Sequence, residues 1–360
     1  MDFHIDPDIR IANTLPAAFY RNPQIFEDLK EKVFLRTWQF VGDEKKLTGS
    51  VNATPFILHP KYLNEPLVIT LDELGKIHCL SNVCTHRGNC VVEETGQFKS
   101  LNCRYHGRRF SIDGKFQHMP EFKEAQNFPN TSDDLPSFPV VQWGPLIFVG
   151  FNPVFSLEEV LEGIKARVGF LPIDEFKPMS NLAKDYKIKA HWALYCDNYL
   201  EGLHIPFVHG GLNEVLDFGS YSTEIFDHYN VQIGYVDDPE DAFDFPEGHP
   251  DSGKLVGAYY FWVFPNMMFN FYPWGLSINI VYPRSENQTR VSFIPYVYDE
   301  SKLTSGAGAE LDQVEQEDEE VVENVQIGIN SRFYKAGRYS PKREQGVHHF
   351  HRLLAKFLSD

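Results

Sequence analysis

The sequence predicts an α+β protein of two domains, a small all-β domain followed by a larger one in which helices and strands mix. Three observations carry that expectation. At 360 residues the chain is long enough to build two cores. From Trp38 to about Pro153, short β-rich runs at 56–58, 67–71 and 146–151 are separated by Gly, Pro and Asn, the punctuation of an all-β module. Beyond Phe155, strand alternation and helical spacing intermingle. The expected divisions are 1–37, a helical segment packing on the second domain; 38–155, the β domain; and 156–360, the second domain.

Taken in order, Ile25, Phe26, Leu29, Val33 and Phe34 recur at helical spacing and predict a helix over 23–38. Residues 127–137 are polar and contain Pro, and are expected as a loop of the β domain. Residues 186–190 alternate like a strand, and a helix is expected over 191–204. Further strands are expected at 259–264, 276–282 and 291–297, and helices at about 311–336 and 343–358.

Composition excludes several function classes. A net charge of −17 argues against nucleic acid and anionic membranes, which reward Lys and Arg. No apolar run approaches the ~18 residues of a membrane span. The first residues show no export pattern, so a cytoplasmic location is expected. Cysteines stand at 79, 84, 90, 103 and 196, an odd number that favours metal or buried-thiol roles over a disulfide framework.

Two of those cysteines carry the strongest signal. Cys84-Thr85-His86 and Cys103-Arg104-Tyr105-His106 read C-x-H and C-x-x-H, each closely followed by Gly, at Gly88 and Gly107. Two thiolates and two imidazoles shared between two loops are what a Rieske [2Fe–2S] cluster requires, one iron taking both Cys and the other both His. Zinc is the alternative, although its sites more often group as C-x-x-C with H-x₃₋₅-H.

A second donor set lies downstream. His204 and His209 form H-x₄-H, and an unbroken helix would turn them about 140° apart. Pro206 lies between them and is expected to kink the helix so that both nitrogens meet one metal. On a helical wheel Asn198, Glu201 and His204 share one side, which could equally face water. In the late helix, Val314, Val321, Val322, Val325 and Ile329 form an apolar stripe with Asp318 near its centre, while Glu315 and its acidic neighbours point mostly elsewhere. A carboxylate in such a stripe is costly unless paired or metal-bound. Asp318 is therefore the candidate third ligand, and Glu317 is its rival.

Cys84-Thr85-His86-Arg87-Gly88 and Cys103-Arg104-Tyr105-His106-Gly107 resemble the Rieske motif of the ring-hydroxylating, non-haem iron oxygenases, catalytic α subunits that pair such a cluster with a mononuclear iron. Respiratory Rieske proteins carry an extra Cys in each loop, joined as a disulfide. Here Cys90 echoes the first, but Tyr105 stands in place of the second. Arg108 departs from the family, which commonly has Trp there. Asn, then an acid, then H-x₄-H resembles the family's iron-site phrase. The resemblance gives Glu201 the place that bridges an iron-bound His to the cluster His of a neighbouring subunit. The N-x-x-E-x-x-H form is most similar to homotrimeric members acting on quaternary ammonium compounds. Glu317-Asp318 ahead of Val325-Gln326 also matches the family's C-terminal pattern.

The resemblance implies a Rieske domain followed by a helix-grip-like catalytic domain around an antiparallel sheet. It implies a [2Fe–2S] cluster at Cys84, His86, Cys103 and His106, and a mononuclear Fe(II) at His204, His209 and Asp318. The iron would form a facial triad that leaves positions open for O₂. Electrons would come from a reductase or ferredoxin. No G-x-G-x-x-G fingerprint appears, so NAD(P)H would act only through that partner. A β subunit is possible but not implied. The substrate is expected to be a small organic molecule whose aromatic ring is hydroxylated; mono-oxygenation or demethylation of a quaternary ammonium compound is the alternative. A Rieske electron carrier or redox sensor is the alternative of another class, and the second donor set argues against it.

Other residues have plainer readings. His348, His349 and His351 flank a stripe of Val347, Phe350, Leu354 and Phe357 and are expected on the surface of an amphipathic helix. Cys79, Cys90 and Cys196 are expected as buried thiols, and His191 in a capping or core role. Tyr272 and Trp274 are expected in ordinary packing, with an aromatic cage as the alternative.

Overall fold

The computed structural model describes residues 3–47, 51–309 and 311–359. It divides into two compact units, residues 35–154 on one hand and residues up to 34 together with those from 155 onward on the other.

The unit of 35–154 is built from short antiparallel strands. They are β1 (Trp38–Asp43), β2 (Ala53–Leu58), β3 (Glu65–Leu71), β4 (Ile77–Ser81), β5 (Leu101–Asn102), β6 (Arg109–Phe110), β7 (Phe116–His118), β8 (Ser137–Phe138), β9 (Val140–Trp143) and β10 (Leu146–Gly150). They pair as β1-β10-β9, β2-β3-β4-β8 and β5-β6-β7. Val68, Leu80, Leu101 and Phe110 form one core, and the Cys84 and Cys103 side chains belong to it. The expected loop over 127–137 contains a 3₁₀ turn, Thr131–Asp133, capped by Asn130, and Ser137 already opens β8.

The second unit holds α1 (Ala17–Arg21), α2 (Pro23–Lys32), α3 (Leu157–Val168), β11 (Lys177–Pro178), β12 (Lys184–Ile188), α4 (Trp192–Tyr199), α5 (Ile205–Val208), α6 (Gly210–Val215), β13 (Ser222–Ile225), β14 (Tyr229–Tyr235), β15 (Val256–Val263), β16 (Met267–Tyr272), β17 (Gly275–Ser285), β18 (Gln288–Val297), α7 (Leu311–Ile329) and α8 (Gln345–Ser359). Its antiparallel sheet runs β11-β18-β17-β16-β15-β14-β13, with β12 also on β18. Strands β11, β13, β14 and β16 add to the four strands expected from the sequence. The β14 sequence escapes notice because Asn230 and Gln232 are buried there among apolar residues.

Four expectations are corrected. The first helix ends at Lys32, because Trp38 is drawn into a ladder with Gly150. Helix α7 stops at Ile329, because the chain beyond it runs beside the N-terminal segment, where Lys335 O and Gly337 O accept from the Ala17 and Thr14 amides. His348, His349 and His351 are buried rather than on the surface. The N-terminal segment and α4 cover the polar side of α8: His351 Nε2 meets Asp197 Oδ1 at 2.8 Å, and its Nδ1 meets the Tyr339 hydroxyl at 2.6 Å. Cys90 is exposed, whereas Cys79 and Cys196 are buried. His191 caps α4, accepting from the Ala193 amide. Among the described residues no helix is long and apolar enough to cross a membrane.

Candidate metal centres and substrate cavity

The loops after β4 and β5 share one backbone pattern. Cys84 N–H donates to Asn89 O and Gly88 N–H to Cys84 O, at 2.8 and 3.0 Å; Cys103 N–H donates to Arg108 O and Gly107 N–H to Cys103 O at the same distances. Gly88 and Gly107 sit at φ +72° and +76°, where a side chain would strain the turn. Each Cys opens its loop and is buried, whereas His86 is half-buried and His106 exposed. The histidine occupies the third position of one loop and the fourth of the other, yet the two rings lie 4.7 Å apart. Burial raises the Cys84 thiol, which the Cys103 thiol also contacts. Two adjacent inward thiols beneath two adjacent imidazoles are the donor set of a Rieske cluster.

Tyr105 is exposed and lies over His106, centroids 3.7 Å apart, and all five cysteines are free. Arg108 is buried at 2 % exposure. Its Nη2 donates to Asp133 Oδ1 at 2.6 Å, and its guanidinium lies 5.0 Å from the Phe116 ring and 5.5 Å from that of Phe128. A buried cation is thus paired and faced by aromatic rings.

The segment after α4 departs from the expected helix and kink. The helix ends at Tyr199, and Glu201 folds back so that its Oε2 accepts from the amides of Leu203 and His204. Asn198, Glu201 and His204 therefore do not share one helix. Pro206 does not kink a helix either; it lies in the first turn of α5, where its missing N–H costs nothing. His204 precedes this single turn and His209 follows it, so one short helix spaces both rings, 5.1 Å between centroids.

Helix α7 supplies the third donor. Asp318 Oδ1 lies 3.0 Å from His209 Nε2 and 3.6 Å from His204 Nε2. One ligand atom from each of His204, His209 and Asp318 falls within 4.8 Å of the others, the only such group among the described residues. Each donor is held from behind. His204 Nδ1 meets Glu201 Oε1 at 2.7 Å, His209 Nδ1 meets Glu317 Oε2 at 2.7 Å, and Asn198 Nδ2 donates to Asp318 Oδ1 at 2.6 Å. Such outer partners fix the tautomer and aim of metal ligands. Burial pushes His209 down, but the Asp318 and Glu317 carboxylates outweigh it and hold the ring above its ordinary value. The site thus attracts a cation. Glu317, the rival ligand, stands on the far nitrogen of His209.

The buried face of α7 differs from the expected stripe. Glu315, Val322, Gln326 and Ile329 are buried, whereas Val325 is 43 % exposed. Glu315 is the residue that sequence reasoning missed. Its Oε2 accepts from the Tyr195 hydroxyl at 2.6 Å, and its Oε1 has no hydrogen-bond partner. Burial raises this carboxyl well above the usual range; the Tyr195 hydroxyl opposes that and Asp318 adds to it.

A cavity of about 100 Å³ adjoins the His204–His209–Asp318 group. Its walls include Tyr195, Tyr199, Tyr221, Tyr260, Tyr272 and Glu315. Tyr199 donates to Asn270 Oδ1 at 2.6 Å, and Gln232 Nε2 donates to Tyr199 O at 2.7 Å. Tyr272 and Trp274 are core residues, and Tyr272 also faces this cavity.

Comparison with known proteins matches two stretches of the chain to described domains. Residues 37–139 match the Rieske [2Fe-2S] domain and residues 179–360 the ring hydroxylating alpha subunit (catalytic domain). The chain is 32 % identical to chloroplastic choline monooxygenase of Arabidopsis thaliana, covering 97 % of this chain and 84 % of that protein. It is 26 % identical to the carnitine monooxygenase oxygenase subunit of Escherichia coli (strain K12), covering 96 % and 94 %. Among solved structures, a quaternary ammonium Rieske monooxygenase superposes with a TM-score of 0.76 at 22 % identity, over 97 % of this chain and 96 % of that one. Naphthalene 1,2-dioxygenase from Rhodococcus sp. superposes with a TM-score of 0.71 at 19 % identity, over 96 % and 93 %. The Rieske assignment replaces the zinc alternative, and the catalytic domain replaces that of a bare electron carrier. The chain belongs to the ring-hydroxylating alpha-subunit family, and is the terminal oxygenase component of a Rieske non-haem iron oxidoreductase that takes electrons from a reductase or ferredoxin.

Proposed function

We propose that this oxygenase mono-oxygenates a small alkylammonium compound, with Cys84, His86, Cys103 and His106 holding the cluster and His204, His209 and Asp318 holding the iron. The observation that carries the substrate class is the tyrosine-walled cavity beside the His–His–Asp group, since aromatic faces attract quaternary ammonium groups. The 32 % identical relative is a choline monooxygenase.

The bound metals supply single electrons and activation of O₂. The chain's own residues supply orientation. Glu201 and Glu317 each lie against an Nδ1 atom, which turns both Nε2 atoms toward the iron position. Asn198 holds the Asp318 carboxylate from the other side. Glu201 also takes the bridging place toward the cluster of a neighbouring subunit in a homotrimer; a solved relative is described in terms of inter-subunit electron transfer.

The test is oxygen uptake by the reductase-supported protein against a panel of quaternary ammonium compounds and aromatic rings. Uptake stimulated by ammonium compounds, with formaldehyde or an oxidised product, is expected; stimulation by aromatic rings alone would refute the substrate class. His204→Ala should lower iron from about three to about two per chain and abolish uptake, with the cluster spectrum retained. Activity surviving that change would refute the ligand assignment.

A further inference from the structure

Arg108 closes the second cluster loop, where its carbonyl accepts from the Cys103 amide at 2.8 Å. Its side chain reaches the first loop as well. Nη2 pairs with Asp133 Oδ1 at 2.6 Å and donates to Asp133 O at 3.2 Å, and that same carbonyl accepts from the Thr85 hydroxyl at 2.8 Å. Thr85 stands between Cys84 and His86. One guanidinium, through one Asp133 carbonyl, therefore links the two loops that carry the four cluster donors.

The link is charged, and it is dry. Arg108 is always protonated, and its side chain is 2 % exposed against 14 % for that of Asp133. The Phe110, Phe116 and Phe128 rings lie 5.7, 5.0 and 5.5 Å from it. Phe128 continues through Phe122 to the His86 ring, at 4.8 and 5.6 Å between centroids. These rings stand where water would otherwise screen the charge. The ion pair is unequal. Its carboxylate is the wetter member and also accepts from the Asn130 amide at 2.8 Å, while the Arg108 Nε has no hydrogen-bond partner. The cluster donors feel the cation: burial chiefly raises the Cys84 thiol, with Arg108 opposing it, and burial chiefly lowers His86, with Arg108 adding to it.

We propose that Arg108 is a positioning residue that ties the two cluster loops to each other and sets a buried positive charge beside the cluster, raising its reduction potential. The cluster takes one electron from the reductase or ferredoxin and passes one on, with no bond made or broken, so its reduced form carries one more negative charge. A nearby cation shielded from water favours that form. The family commonly has a neutral Trp at this place, so the charge is this chain's own departure. The inference rests on the cluster assignment above.

Potentiometric titration of the purified full chain, followed by the cluster's visible absorbance, tests this on two variants. Arg108→Gln combined with Asp133→Asn removes both charges and so leaves neither unpaired in the interior. Its equilibrium for taking up an electron should fall at least about tenfold, which is about 59 mV for one electron, with iron content and oxidised spectrum unchanged. Arg108→Lys keeps the charge without the planar fork and should stay within about threefold of the parent. A double variant at or above the parent potential, or a fall in Arg108→Lys as deep as that of the double variant, would overturn the inference. Loss of the cluster from both variants would make the position one of assembly and not of potential, and would overturn it too. A parent protein without a Rieske spectrum would instead refute the cluster assignment itself.

Discussion

Asn198 Nδ2 donates to Asp318 Oδ1 at 2.6 Å, the same oxygen that His209 Nε2 approaches at 3.0 Å. The last turn of α4 therefore aims a side chain of α7. Replacing Asn198 by Ala frees that carboxylate to rotate, and a lost outer partner typically costs roughly 10–100-fold in metal affinity. Iron titration should show that loss, while the cluster's visible spectrum stays as it was.

Gly346 of α8 makes room for the end of α4. A methyl group at its Cα would stand 2.3 Å from Leu200 O, and Leu200 immediately precedes Glu201. Gly346→Ala should cost about 1–3 kcal/mol by overpacking, read as a lower denaturant midpoint. Displacing Leu200 should also lower iron retention, although position 346 touches none of the proposed ligands.

His191 sits among Phe19, Tyr20 and Phe26. Burial lowers its pKa from 6.5 to about 3. The folded state thus refuses a proton that the unfolded chain accepts. Stability is full above the unfolded value of about 6.5 and falls as pH drops from there toward 3, by up to about 1.4 kcal/mol per unit. Urea unfolding should lose about 2 kcal/mol between pH 7 and pH 5 from this group. His191→Asn, which keeps a capping acceptor, should remove that part of the slope.

Asp251 shows the opposite sign. Burial raises its carboxyl, but hydrogen bonds from Lys254, Tyr259 and Arg167 outweigh this and bring it to about 2. A depressed carboxylate contributes above its unfolded value, here 3.8, and loses that contribution as pH falls toward 2. Asp251→Asn should therefore cost about 2 kcal/mol at pH 7, with the difference from the parent vanishing near pH 2. Guanidinium unfolding across that range measures it.

The cluster residues and the His204–His209 pair were readable from spacing, because metal sites draw on few residue types at short separations, whereas Asp318 was chosen from a stripe whose Val325 proves 43 % exposed. Cys84, His86, Cys103 and His106 lie on two loops with one hydrogen-bond pattern, so local sequence carried the geometry. The route by which His204 and His209 meet was not readable. Helical periodicity ran on through Leu200, and only the fold-back of Glu201 onto its own backbone shows that α4 has ended. Glu315 was hidden differently. In an acidic run the usual reading is a solvated face, and nothing in the sequence tells which carboxylate Tyr195 will meet. The buried His348, His349 and His351 failed for a related reason, since a helix wheel cannot show that a segment more than 300 residues earlier covers the polar side.

Helix α5 is a single turn, well short of the ~12 residues at which helices sustain themselves. Both of its boundary residues are proposed ligands. Such a turn has little cooperativity of its own and gains it by being tied at each end to a common ion. Iron loading and the setting of this turn are then one thermodynamic event, not a rigid cup being filled. Amides flanking His204 and His209 should exchange fastest in iron-free protein and slow together when iron is added.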